Sequence, residues 1–150
     1  MLARFTHVNL VAEDWRRLAA FYERALGCTP IPPERDYSGE WLERITGVPA
    51  PHIRGVHLQL PGHDEGGPTL EIFQYEPSAA RPEIRANTPG FCHIAFAVAD
   101  PAEAAERVFA EGGSPVGELT VREVPGIGTL TVWYVADPEG NIIELQKWSR

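Results

Sequence analysis

The chain has 150 residues, 43% of them apolar and 23% charged, enough for one domain with a sizeable core or two small modules sharing one. Thirteen basic against twenty-one acidic residues give a formal net charge of −8, and no stretch concentrates Lys or Arg, so the footprint of a nucleic-acid or anionic-membrane binder is missing. No run approaches the roughly 18 apolar residues of a membrane span, Met1–Asp14 alternates as a strand does rather than as a signal peptide, and Cys28 and Cys92 lack close-spaced partners, so a reduced, cytoplasmic protein is expected.

Phe5–Ala12 alternates and predicts a strand. Asp14 then offers an N-cap to a helix in which Leu18, Phe21, Tyr22, Ala25 and Leu26 fall at helical spacing, and Gly27 stops it. From Thr29 to Pro51 the prolines at 30, 32 and 33 break any pattern, and a long loop is expected, relieved by a short helix over Gly39–Ile45. Tyr37 and Trp41 in that loop either close over a ligand or anchor the loop. Ile53–Leu60 predicts a strand with Val56, Leu58 and Leu60 on one face and His57 and Gln59 on the other; Thr69–Tyr75 predicts the next. Residues 77–89 are proline-rich and aperiodic and read as a linker between modules at 1–76 and 90–150.

The second module opens on Gly90–Asp100, where Cys92, Ile94, Phe96 and Val98 form a core face while His93 looks out over the small methyls of Ala95, Ala97 and Ala99. Asp100-Pro101-Ala102-Glu103 combines an N-cap, proline at the first helical position and the glutamate of a capping box, and the helix is expected to end at Gly112-Gly113. A strand and turn follow in Ser114–Pro125, then a strand over Thr129–Ala136, in which only one of Trp133 and Tyr134 can line a pocket. Asp137–Gly140 is a turn and Asn141–Trp148 the last strand. Both halves thus read strand, helix, then two or three strands. His7 and His93 stand 86 residues apart, Glu71 and Glu144 73 apart, and the longer first-half loop accounts for the difference. The chain reads as an α+β protein made of a duplicated β-α-β-β-β module.

Each half contributes one histidine from its first strand and one glutamate from an apolar last strand, Glu71 between Leu70 and Ile72 and Glu144 between Ile143 and Leu145. A carboxylate so flanked is costly to bury unless it is paired or bound to a cation. If the modules pack with pseudo-twofold symmetry, His7, Glu71, His93 and Glu144 converge on one divalent ion such as zinc, nickel, cobalt, manganese or iron, with positions left for water or substrate. Asn9, Phe73 and Tyr75 share faces with His7 and Glu71 and are pocket-wall candidates. His57 is an auxiliary acid or base if its face lines the pocket, and a solvated strand histidine otherwise.

Phe21-Tyr22-Glu23 and Leu26-Gly27 after His7, Leu70-Glu71-Ile72, Gly90–Phe96 and above all Asp137–Leu145 are similar to the vicinal oxygen chelate superfamily, which includes glyoxalase I, methylmalonyl-CoA epimerase, extradiol dioxygenases and bleomycin resistance proteins. The resemblance implies paired β-α-β-β-β modules forming a cup-shaped mixed sheet with the helices outside, a metal held by His7, Glu71, His93 and Glu144, a small-molecule substrate and a homodimer. It also implies a lyase or isomerase that stabilises an enolate, with Glu144 as ligand and base and Glu71 as its counterpart, acting on a small carbonyl or thioester compound. An extradiol-type dioxygenase and a non-catalytic binding protein of the bleomycin-resistance type are the alternatives. Asn9, Leu10 and Val11 follow His7 where glyoxalase I has its glutathione-binding arginine.

Overall fold

The computed structural model describes residues 2–150. The chain divides into two compact units, one running to Arg81 and the other spanning Pro82–Arg150. No helix among the described residues is long and apolar enough to cross a membrane.

The first unit contains β1 (His7–Val11), α1 (Trp15–Leu26), β2 (Thr29–Ser38), α2 (Glu40–Thr46), β3 (His52–Gln59) and β4 (Thr69–Glu76). Its sheet has the order β1-β4-β3-β2, with β1 parallel to β4 and the other neighbours antiparallel. The Asp14 side chain caps α1 by accepting from the Arg17 amide at 3.1 Å, and Gly27 closes it in the left-handed region at φ 73°. Leu18, Phe21 and Tyr22 of α1 and Leu58, Leu70 and Ile72 of the sheet are all 0% exposed. They form the core of this unit, and the alternate residues of β3 and β4 are thereby turned to the other face.

The long loop expected over 29–51 is instead mostly strand and helix. β2 pairs antiparallel with β3, with a register shift between Ile31 and Arg35 where the prolines fall. Trp41 of α2 stacks edge-on to Tyr37 of β2 at 5.7 Å and donates its Nε1–H to the Ser38 carbonyl at 3.0 Å, so these two aromatic residues anchor the segment.

The second unit contains β5 (His93–Ala97), α3 (Pro101–Ala110), β6 (Ser114–Pro115), β7 (Thr120–Val124), β8 (Gly128–Ala136) and β9 (Ile142–Ser149). Here β5 is parallel to β9, β9 pairs with β8, and both β6 and β7 pair with β8. The connectivity repeats that of the first unit, with β6 and β7 standing where β2 stands. Asp100 caps α3 by accepting from the amides of Ala102 and Glu103. The Glu103 side chain pairs with Arg107 at 3.0 Å, one helical turn on, where a capping box would have turned it back to the cap. The helix ends at Ala110, before the glycines expected to stop it.

Val108, Val135, Ile143 and Leu145 are 0% exposed and form the core of this unit. Trp133 packs on Phe109 of α3 at 5.5 Å, which leaves Tyr134 for the opposite face of β8. Asp137, 2% exposed, organises the turn between β8 and β9. Its carboxylate accepts from the amides of Glu139 and Asn141, both at 2.9 Å, and from the Asn141 side chain at 2.7 Å.

Candidate functional site

In the first unit the site is built on the sheet face away from α1. Register places Asn9 of β1 and His57 of β3 directly opposite Glu71 of β4. Glu71 is only 9% exposed, and its two oxygens are shared among three side chains. Oε1 lies 3.0 Å from His57 Nε2; Oε2 lies 3.5 Å from His7 Nε2 and accepts from Asn9 Nδ2 at 3.3 Å. Burial lowers His57 below the usual imidazole range, opposed by the Glu71 charge and aided by Arg35 and His7, so its neutral form is favoured. A carboxylate only accepts, so His57 donates from Nε2, leaving Nδ1 to accept from the Thr69 hydroxyl at 3.4 Å.

The Phe73 ring stands edge-on to His57 at 5.7 Å. It does so because residue 55 is glycine: a Cβ there would overlap the Phe73 ring and the Ile72 carbonyl oxygen. Tyr75 shares this face but stands opposite Ile53, two positions beyond Phe73 and outside the group around Glu71.

The second unit repeats the arrangement with one change. Glu144 of β9 sits between the buried Ile143 and Leu145, and its Oε2 lies 2.9 Å from His93 Nε2. Opposite Glu144 on β8, where the first unit has His57, stands Tyr134. Its ring lies 4.9 Å from that of His93. Burial first, then the Glu144 charge, raises Tyr134 above the usual phenol range, which keeps its hydroxyl protonated. Glu144 and Tyr134 lie in the lining of a cavity of about 510 Å³, beside Leu130 and Val132. Strand parity had narrowed the pocket residue of β8 to Trp133 or Tyr134, and the packing of Trp133 on α3 decides for Tyr134.

The register is equivalent in the two units. Asn9 faces Glu71 and Ala95 faces Glu144, so each histidine stands two residues before the residue paired with the glutamate. Among the described residues no group of three or more His, Cys, Asp and Glu is arranged to hold a metal ion. Each unit offers one imidazole–carboxylate pair at the equivalent place, and imidazole nitrogens with carboxylate oxygens are donors suited to a borderline divalent ion. The donor chemistry therefore fits such an ion.

The family model described as the glyoxalase/bleomycin resistance protein/dioxygenase superfamily matches residues 4–145. The chain belongs to this superfamily. A virulence protein of Salmonella typhimurium, STM3117, is 28% identical over 148 residues, which cover 99% of this chain and 86% of that protein. A glyoxalase family protein from Bacillus cereus superposes with a TM-score of 0.82 at 22% identity, covering 100% of this chain and 97% of the other. A glyoxalase I mutant from Zea mays matches with a TM-score of 0.64 at 22% identity, over 95% of this chain and 45% of the maize chain. Superfamily members commonly bind a divalent metal, and the two histidine–glutamate pairs are the places in this member where donor chemistry would allow it.

Proposed function

We propose that this member of the superfamily is a divalent-metal-dependent lyase or isomerase that moves a proton next to the carbonyl of a small ketone, aldehyde adduct or thioester. The observation that carries the reading is the duplicated pair: at equivalent register positions a carboxylate on an apolar strand meets an imidazole Nε2, at 3.5 Å for His7 with Glu71 and 2.9 Å for His93 with Glu144. His7, Glu71, His93 and Glu144 would supply the metal ligands. When bound, that ion supplies Lewis acidity that makes the C–H beside a substrate carbonyl more acidic.

The chain's own residues do the rest. Glu144 takes the proton onto its carboxylate, oriented by His93 and flanked by Tyr134 on the neighbouring strand. The proton returns from Glu144 to a neighbouring atom in an isomerisation, or Glu71 delivers one in an epimerisation. His57 and Asn9 fix the Glu71 carboxylate in position, and Phe73 packs behind His57. The same reading makes the protein a cytoplasmic homodimer with a small-molecule substrate; its net charge of −8 weighs against nucleic-acid partners.

The test is exchange of substrate C–H for deuterium in heavy water, with a 2-methyl thioester and the hemithioacetal of an α-ketoaldehyde as probes. Metal-loaded wild type should exchange one of them, and Glu144→Gln of verified metal content should lose at least about 100-fold, as expected for removal of a positioned base. Unchanged exchange in that variant would rule out Glu144 as the base.

A further inference from the structure

The cavity of the second unit carries a statement about substrate chemistry. It lies where the strand opposite β8 is interrupted: β6 stops at Pro115, β7 starts at Thr120, and residues 116–118 form a wall. That wall is fixed from both sides of β8. The amides of Val116 and Gly117 donate to the Tyr134 carbonyl at 3.0 and 3.2 Å, and Trp133 Nε1 donates to the Gly117 carbonyl at 2.8 Å. Val116, Leu130 and Val132 give the cavity apolar sides, and Val116 is 44% exposed. The ionisable groups in its lining are Glu118, Glu144 and Tyr134; it contains no Lys, Arg or His.

We infer that this cavity seats an uncharged apolar group of the substrate and discriminates against an anionic one. The inference rests on the reading of Glu144 as the base and deepens it, since the group held there adjoins the atom that Glu144 deprotonates. A volume of about 510 Å³ falls in the range of small-molecule sites. An anion in it would face the Glu118 carboxylate with no Lys, Arg or His in the lining to offset it, whereas an alkyl or aryl group would cover Val116, Leu130 and Val132. Substrates whose non-reacting end bears carboxylates or phosphates are thereby disfavoured.

The test uses two probes of one shape, neutral N-phenyl-1-naphthylamine and its sulfonated analogue 1-anilinonaphthalene-8-sulfonate, followed by fluorescence on the full chain. The neutral probe should bind one per chain, and the sulfonate about tenfold or more weakly, the penalty expected from the nearby like charge of Glu118. Glu118→Lys, on the exposed wall, should narrow that gap while leaving the neutral probe unchanged. Val132→Trp, which fills the cavity, should weaken the neutral probe by about tenfold or more through lost burial. Failure of the neutral probe to bind, equal or tighter binding of the sulfonate to wild type, a gap unmoved by Glu118→Lys, or an unaltered neutral probe in folded Val132→Trp would each overturn the inference. The probe needs neither bound metal nor turnover. Loss of the probe response with normal metal and exchange thus overturns the pocket alone, and a normal response without metal or exchange overturns the proposed reaction alone.

Discussion

Cys28 is 2% exposed, and burial pushes its thiol up to about 12, whereas Cys92 is half-buried with its Sγ–H donating to the Ala86 carbonyl at 3.2 Å. Reactivity follows the thiolate and its access. A disulfide-exchange reagent at pH 8 should titrate one thiol in the native chain and two after denaturation, and Cys92→Ser should abolish the native reaction; two fast native thiols would contradict this burial. Because folding raises the Cys28 value above its ordinary 9, the unfolded chain gives up that proton first. The stability it contributes is present below pH 9 and is lost as the pH climbs from 9 toward 12. The denaturant midpoint should therefore fall less steeply with alkali in Cys28→Ala than in wild type. Gly55 is constrained by shape, since a methyl there would push on Phe73 beside His57. Gly55→Ala should cost about 1–3 kcal/mol in urea unfolding, the usual cost of overpacking. At this scale the two histidine–glutamate pairs were legible because His and Glu recur in register. The partner of each glutamate was harder to read: His57 stood as one of two readings, and Tyr134 as one of two neighbours. Strand alternation gives the face but not the opposite strand's register.

At the scale of elements, the turn after β8 depends on one buried carboxylate. Asp137→Ala would leave the Glu139 and Asn141 amides without that acceptor, at a cost of about 2–3 kcal/mol, whereas Asp137→Asn should retain part of the stability. Equal denaturant midpoints for wild type and Asp137→Ala would show that the turn is held by something else. Elements with their own end signals were readable: α1 between Asp14 and Gly27, α3 from Asp100, and β9 after the Asp137–Gly140 turn. β2 was not, because Pro30, Pro32 and Pro33 mask its alternation. Its place explains why the prolines are tolerated. β2 is an edge strand of the order β1-β4-β3-β2, and an edge needs donors on one side only. Glu103 met the sequence rule for a capping box, but Arg107 one turn away competes for its carboxylate.

At the scale of the whole molecule, two units share one connectivity and one register around Glu71 and Glu144 but differ in the residue facing each carboxylate. His57 gives the first unit a second imidazole, and Tyr134 gives the second a phenol beside an apolar cavity. The repeat was visible in the sequence as two histidines and two glutamates at matching places, while this divergence required the pairing of β3 with β4 and of β8 with β9. It fits a duplicated scaffold whose halves have diverged at the residue facing the carboxylate. Whether the histidine–glutamate pairs hold a divalent ion is decided by elemental analysis of the purified protein beside His93→Ala and Glu144→Ala. Divalent metal should be close to stoichiometric in wild type and lost in both variants. Wild-type protein that holds no ion even after reconstitution would contradict this and would make the site a binding pocket of the bleomycin-resistance type.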